Sequence, residues 1–171
     1  MNKTTTVIKF QPVQIDPETV TDAPNVIVFP PLLFVGAVIS GATLQFLWPI
    51  HPPAAMPARI IGAGLALTGI AMVISAKRSL RRAGTNVRPD KPTTAIVDGG
   101  PYRFTRNPIY LGASVAYLGV TLLLNAFWPI PALAPFFALL HWGVVHREEM
   151  YLEQKFNDAY LAYKNRVRRW L

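Results

Sequence analysis

The sequence predicts an all-α integral membrane bundle of four transmembrane helices followed by a C-terminal amphipathic cytoplasmic helix. Three observations predict it. Four stretches of 17–20 residues contain no acid and almost no base. The chain is 51% hydrophobic and only 15% charged, with a positive mean hydropathy. Sixteen of the seventeen Lys and Arg residues fall in segments that four crossings put on one side. A length of 171 residues holds one domain, and the apolar content excludes a disordered chain. The absence of cysteine excludes disulfides, thiolate metal sites, a thiol nucleophile and cysteine lipid anchors.

Taken in order, residues 1–27 combine Lys3 and Lys9 with Asp16, Glu18, Asp22 and three prolines. No apolar core follows within signal-peptide range, so this reads as an extended cytoplasmic tail ahead of a single domain, 28–171. The first span, 29–48, opens on Pro30-Pro31, which suits a first helical turn. The second, 57–76, carries Arg59 alone. Small residues four apart, Gly36/Ser40 and Gly62/Ala66, predict close helix packing in lipid. A loop over 77–107 holds eight bases and the turn signal Gly99-Gly100-Pro101. Asn107-Pro108 reads as N-cap and first position of the third span, 108–124, and a tight turn around Asn125 leads to the fourth, 128–145. Pro129, Pro131 and Pro135 predict an irregular start to that helix. Each span reaches about 25–30 Å, the thickness of a bilayer core.

The charge then sets topology. The tail, the middle loop and the C-terminal segment share the basic side, which the positive-inside rule makes cytoplasmic, with both termini there. A net charge of +8 is thus accounted for by the membrane, and no nucleic-acid-binding motif accompanies it.

Polar chemistry concentrates at two cytoplasmic places. One is Asp98 to Gly112, where Arg103 and Arg106 flank the helix start at Asn107. The residues alone leave two readings: a capped helix meeting headgroups, or a seat for a carboxylate or phosphate with Tyr110 one turn inside. The other is a helix over 146–167. At 100° per residue, Val145, Glu149, Leu152, Phe156, Tyr160, Tyr163 and Val167 share one stripe, with Arg147 nearly opposite. A carboxylate in an apolar stripe calls for a cation or donors; Glu149 is either interfacial and wetted, paired with a loop arginine, or part of a Glu148-Glu149 site for a cationic group. The ending Lys164–Arg169 with Trp170 reads as a membrane-surface anchor. His141 and His146 lack the spaced partners of a metal site, so no metal is expected.

Gly100-Pro101-Tyr102-Arg103, then Arg106-Asn107-Pro108-Ile109-Tyr110-Leu111-Gly112, then Glu148-Glu149 with its aromatic ending, together resemble one superfamily. It comprises the membrane methyltransferases related to isoprenylcysteine carboxyl methyltransferase and phospholipid N-methyltransferases. The resemblance runs from about Arg78 to the C-terminus. It implies S-adenosylmethionine as cofactor and a lipid-like or small hydrophobic acceptor (carboxylate, amine or thiol) arriving from the membrane. By position it implies cofactor contacts for Arg106, Asn107, Pro108, Tyr110, Glu148 and Glu149, with no catalytic residue beyond a weak candidate, Arg147. Asn157-Asp158 stands where Gly-Glu is frequent, a departure of little consequence; Asn107 stands where eukaryotic members carry histidine, which with the compact chain points to a bacterial-type member in a prokaryotic inner membrane. A sterol-reductase-like NADPH enzyme and a non-catalytic membrane protein are the alternatives. The acceptor and the oligomeric state stay open.

Overall fold

Prolines open three of the main helices, where a missing N–H costs nothing. The computed structural model describes residues 7–8, 24, 26–52, 56–86 and 91–171. Among these it forms α1 (Pro30–Leu47), α2 (Met56–Arg82), α3 (Pro108–Leu123), α4 (Pro129–Leu140) and α5 (His146–Arg166). A five-residue π-turn, His141–Val145, joins α4 to α5. Most of the predicted tail lies outside the described residues. Two of its residues form a strand, β1 (Val7–Ile8), antiparallel to β2 (Ile96–Val97), with Val7 opposite Val97.

Among the described residues three helical runs are long and apolar enough to cross a membrane: Pro30–Leu47, Met56–Arg82 and Pro129–Arg166. Large apolar side chains point outward from them, among them Leu32, Ile39, Phe46, Ile60 and Leu67. An outside this greasy belongs in lipid, and the chain is an integral membrane protein. The third predicted span is apolar but short, 16 residues over Pro108–Leu123, about 24 Å of helix. The second runs past its predicted end through Lys77 to Arg82. Lys and Arg are good helix formers and suit a helix C-terminus, and Gly84, at φ 69°, stops it.

α2 and α3 touch backbone to backbone through Gly62, Ala66 and Gly69 on one side and Gly112, Ala116 and Gly119 on the other. Gly62/Ala66 pack as expected. In α1 Ala37 and Gly41 are buried and Gly36 and Ser40 half-buried; Gly36 packs closely as expected, a Cβ there falling 2.7 Å from the Phe136 ring of α4. Asn125, at φ 52°, makes the predicted tight turn.

The predicted single helix over 146–167 needs a larger correction. Asn157 sits at φ 42°, ψ −122°, so α5 is two helical pieces joined at a sharp bend. Lys164 and Glu153 form an ion pair although eleven residues separate them, about 16 Å along a straight helix. The stripe therefore closes on itself: Leu152 and Phe156 pack against Tyr160, Tyr163, Val167 and Ile96. Asn157→Gly, which removes the Cβ from a left-handed backbone, is expected to raise stability by about 1 kcal/mol, and Asn157→Val to lower it by about 1–3 kcal/mol. Thermal unfolding in detergent reads both. A less stable glycine variant would mean that the bend is not as described.

Candidate functional site

The start of α1, the end of α2, the 77–107 loop, the start of α3 and both pieces of α5 converge on one cavity of about 310 Å³. Its lining includes Arg106, Asn107, Pro108, Tyr110, Glu148 and Glu149. Residues 38–43 positions apart are thus brought to one cavity. Arg147 is not among the lining residues.

The π-turn and the bend at Asn157 shape this place. One extra residue per turn re-aims side chains, and the turn's Gly143 carbonyl accepts a hydrogen bond from Ile27 N–H at 3.2 Å. That fastens the segment before α1 to the head of α5. Beyond the bend, the chain returns far enough for residue 169 to meet residue 149. A straight helix would hold these two about 30 Å apart.

Glu149 is 4% exposed. Arg169 grips it as a fork, with Nε donating to Oε1 at 3.0 Å and Nη2 to Oε2 at 2.6 Å. Arg106 Nη1 lies 3.0 Å from the same Oε1, in a side chain 9% exposed. Arg169 Nη1 also approaches His141 Nε2 at 3.3 Å. Hydrogen bonding to Glu149 holds the Arg169 pKa above its ordinary value, so the guanidinium stays charged. The reading of Glu149 as paired with a loop arginine is the one the geometry supports; the second partner, Arg169, was read as a surface anchor.

Glu148 is engaged differently. The Tyr110 hydroxyl donates to its Oε1 at 2.8 Å. Asn107 also departs from expectation. It occupies the N-cap position of α3, but its side chain makes no cap hydrogen bond. Its Nδ2 donates instead to the Arg169 carbonyl at 3.1 Å. Thr105 Oγ1 donates to that same carbonyl at 3.0 Å and accepts from Asn107 N–H at 3.2 Å. Arg106 N–H donates to the Arg168 carbonyl at 2.9 Å. The last residues are thereby sewn to the head of α3, and Trp170 packs on Phe137 with ring centres 4.9 Å apart.

Tyr102 and Tyr163 were missed as lining residues. The Tyr163 hydroxyl donates to the Tyr102 carbonyl at 2.8 Å. Burial, then the nearby Tyr163 and Glu148, push the Tyr102 phenol well above its ordinary range and keep it neutral. Tyr102 belongs to the quoted Gly-Pro-Tyr-Arg block, so a signal for it existed. Arg169 had none, because only the bend brings it back.

Fold and site together define an integral membrane protein with a ligand-sized cavity, lined by buried charge at one end of its helices. Residues 57–159 match the phospholipid methyltransferase family. The match covers more than half of the chain and includes residues 100–112 and Glu148-Glu149; the chain belongs to this family of membrane methyltransferases. It is also 40% identical over 63 residues to an uncharacterized protein of Haemophilus influenzae (strain ATCC 51907 / DSM 11121 / KW20 / Rd), covering 37% of this chain and 79% of that one. No solved structure matches it.

Proposed function

We propose that the protein transfers a methyl group from S-adenosylmethionine to a hydrophobic or amphiphilic acceptor drawn from the membrane. One observation carries this: a single cavity is lined both by a carboxylate, Glu148, and by a buried arginine, Arg106, whose Nε has no hydrogen-bond acceptor among the described residues. The amino-acid end of the cofactor carries an ammonium and a carboxylate, the two charges such a pair would receive. The remaining lining is largely aromatic or aliphatic, including Tyr102, Ile109, Leu152 and Tyr163, as an adenosine needs. When bound, the cofactor supplies an electrophilic methyl group on a sulfonium. The acceptor's lone pair forms the new bond to that carbon as the carbon–sulfur bond breaks, its electron pair staying on sulfur.

The protein's part is positioning. Glu148, oriented by Tyr110, faces the cofactor's cationic end, and Arg106 faces its carboxylate. Asn107 and Pro108 hold the head of α3 in place, and Glu149 holds Arg106. Pro30, Pro31 and Ile109 line the cavity from the first turns of α1 and α3, which supports arrival of a lipid-like acceptor from the bilayer. The helix ends that line the cavity lie beside most of the basic residues, which supports cytoplasmic termini in a prokaryotic inner membrane, with α3 as a short fourth crossing.

Calorimetric titration of the detergent-purified protein with S-adenosylhomocysteine tests the reading. Saturable binding is expected; burial raises the Glu148 pKa to about 7, so above that pH Glu148→Gln, which removes a charged hydrogen-bonding group, should weaken it about tenfold, and Tyr110→Phe less. Binding of NADPH in place of the adenosyl ligand would favour a reductase. Binding of neither by folded protein would leave a non-catalytic membrane protein.

A further inference from the structure

We infer that Arg169, in the last turn of chain, is a positioning residue that keeps Arg106 available to an anionic group in the cavity. This rests on the proposed cofactor reading and goes beyond it, since it concerns a residue outside both motif blocks.

The inference follows from how one carboxylate is shared between two guanidiniums. Glu149 has two oxygens, and Arg169 donates to both, at 3.0 and 2.6 Å. Fork-to-fork geometry of this kind is the strongest that arginine and carboxylate make. Arg106 Nη1 is held 3.0 Å from Oε1 by charge but outside hydrogen-bond geometry, and its buried Nε finds no acceptor among the described residues. Two cations against one anion leave one positive charge over, and the unmatched donors sit on the arginine that lines the cavity. Glu148 does not cancel it by contact, being hydrogen-bonded to Tyr110.

Buried donors without acceptors are costly, so they favour a ligand that brings oxygen atoms. If Arg169 were absent, Glu149 would turn both oxygens to Arg106 and the surplus would vanish. The backbone keeps Arg169 at its post. Its carbonyl accepts from Thr105 and Asn107, and its neighbour's carbonyl from Arg106 N–H. The arginine it frees is thus anchored to the same strap.

The test compares two ligands on the full-length protein in detergent. S-adenosylhomocysteine carries the carboxylate; 5′-methylthioadenosine keeps the nucleoside and thioether without the amino-acid end. Arg169→Gln is expected to weaken the first about tenfold, the scale of a charge-assisted contact, and to leave the second within about twofold. Arg169→Lys keeps the charge, loses the fork and should fall between. Equal weakening of both ligands would mean that Arg169 only supports the fold, and unchanged binding of the first would mean that Arg106 needs no help; either overturns the inference. Should the glutamine variant fail to fold, the lysine variant decides by the same ratio. Failure of the unmutated protein to bind either ligand would instead overturn the cofactor reading, and this inference with it, before any variant is compared.

Discussion

Glu149→Gln should lower folding stability by about 3–5 kcal/mol, the range for removing one partner from a buried ion pair. Glutamine keeps the shape but replaces one acceptor oxygen with an NH₂ group, which points donors at donors. Arg106 and Arg169 would then face each other across the site with no anion between them. Arg169 is partly exposed, and water recovers some of its loss; Arg106 is not, and it bears most of the penalty. Thermal unfolding in detergent reads the change, with Glu149→Asp as the milder comparison. Arg106→Gln in the same background should restore part of the loss, a coupling of about 1 kcal/mol or more, because the two sites are in contact. An unfolding curve for Glu149→Gln within about 1 kcal/mol of the unmutated protein would show that both guanidiniums find water instead. The consequence for function is direct. Ligand affinity lost in Glu149→Gln would report a collapsed ion triad, so Glu148 and Tyr110 are the residues whose replacement speaks of the ligand.

The apolar runs made α1, α2 and α4 legible, since lipid demands an uninterrupted greasy surface whatever the partners are. The two motif blocks were legible as well, and Arg106, Tyr110 and Glu148 do meet in one cavity. What stayed hidden has physical causes. A helical wheel assumes a constant 100° step, and Asn157 at φ 42° breaks it; every contact of Arg169 follows from that one residue. The face of α1 was legible only in part, at Gly36, because a helix apolar all round carries no phase of its own. The neighbouring α4 decides which residues turn inward: a Cβ at Gly36 would meet Phe136, and one at Gly41 would meet Pro129. Asn107 looked like a cap because the residue before a helix-opening proline is often one. The returning chain end offers the Arg169 carbonyl instead, and a side chain donates where its acceptor is. The pairing of Val7–Ile8 with Ile96–Val97 spans most of a hundred residues and left no local trace.

Gly119→Leu should cost about 3 kcal/mol and weaken ligand binding with it, an overpacking penalty at the upper end for a core. A Cβ at Gly119 would lie 2.3 Å from the Ala66 nitrogen and 2.7 Å from the Gly62 carbonyl oxygen. These are backbone atoms of a helix, and no rotamer change moves them. α3 would have to retreat from α2 along its length, and the same two helices bring Lys77 and Leu80 to one wall of the cavity and Arg106 to Tyr110 to another. The effect therefore reaches the site through the rigid helix, without any contact between Gly119 and ligand. Gly64 provides the control, because a Cβ there meets nothing within 4 Å. Gly64→Leu replaces the poorest non-proline helix former with a good one on a lipid-facing surface, and its stability should stay the same or rise by up to about 1 kcal/mol. Unfolding in detergent and S-adenosylhomocysteine titration, run on both variants, separate packing from helix propensity. Equal behaviour of the two leucine variants would mean that α2 and α3 do not approach backbone to backbone. A destabilised Gly119→Leu with undiminished affinity would mean that the cavity is held together by the chain-end strap alone.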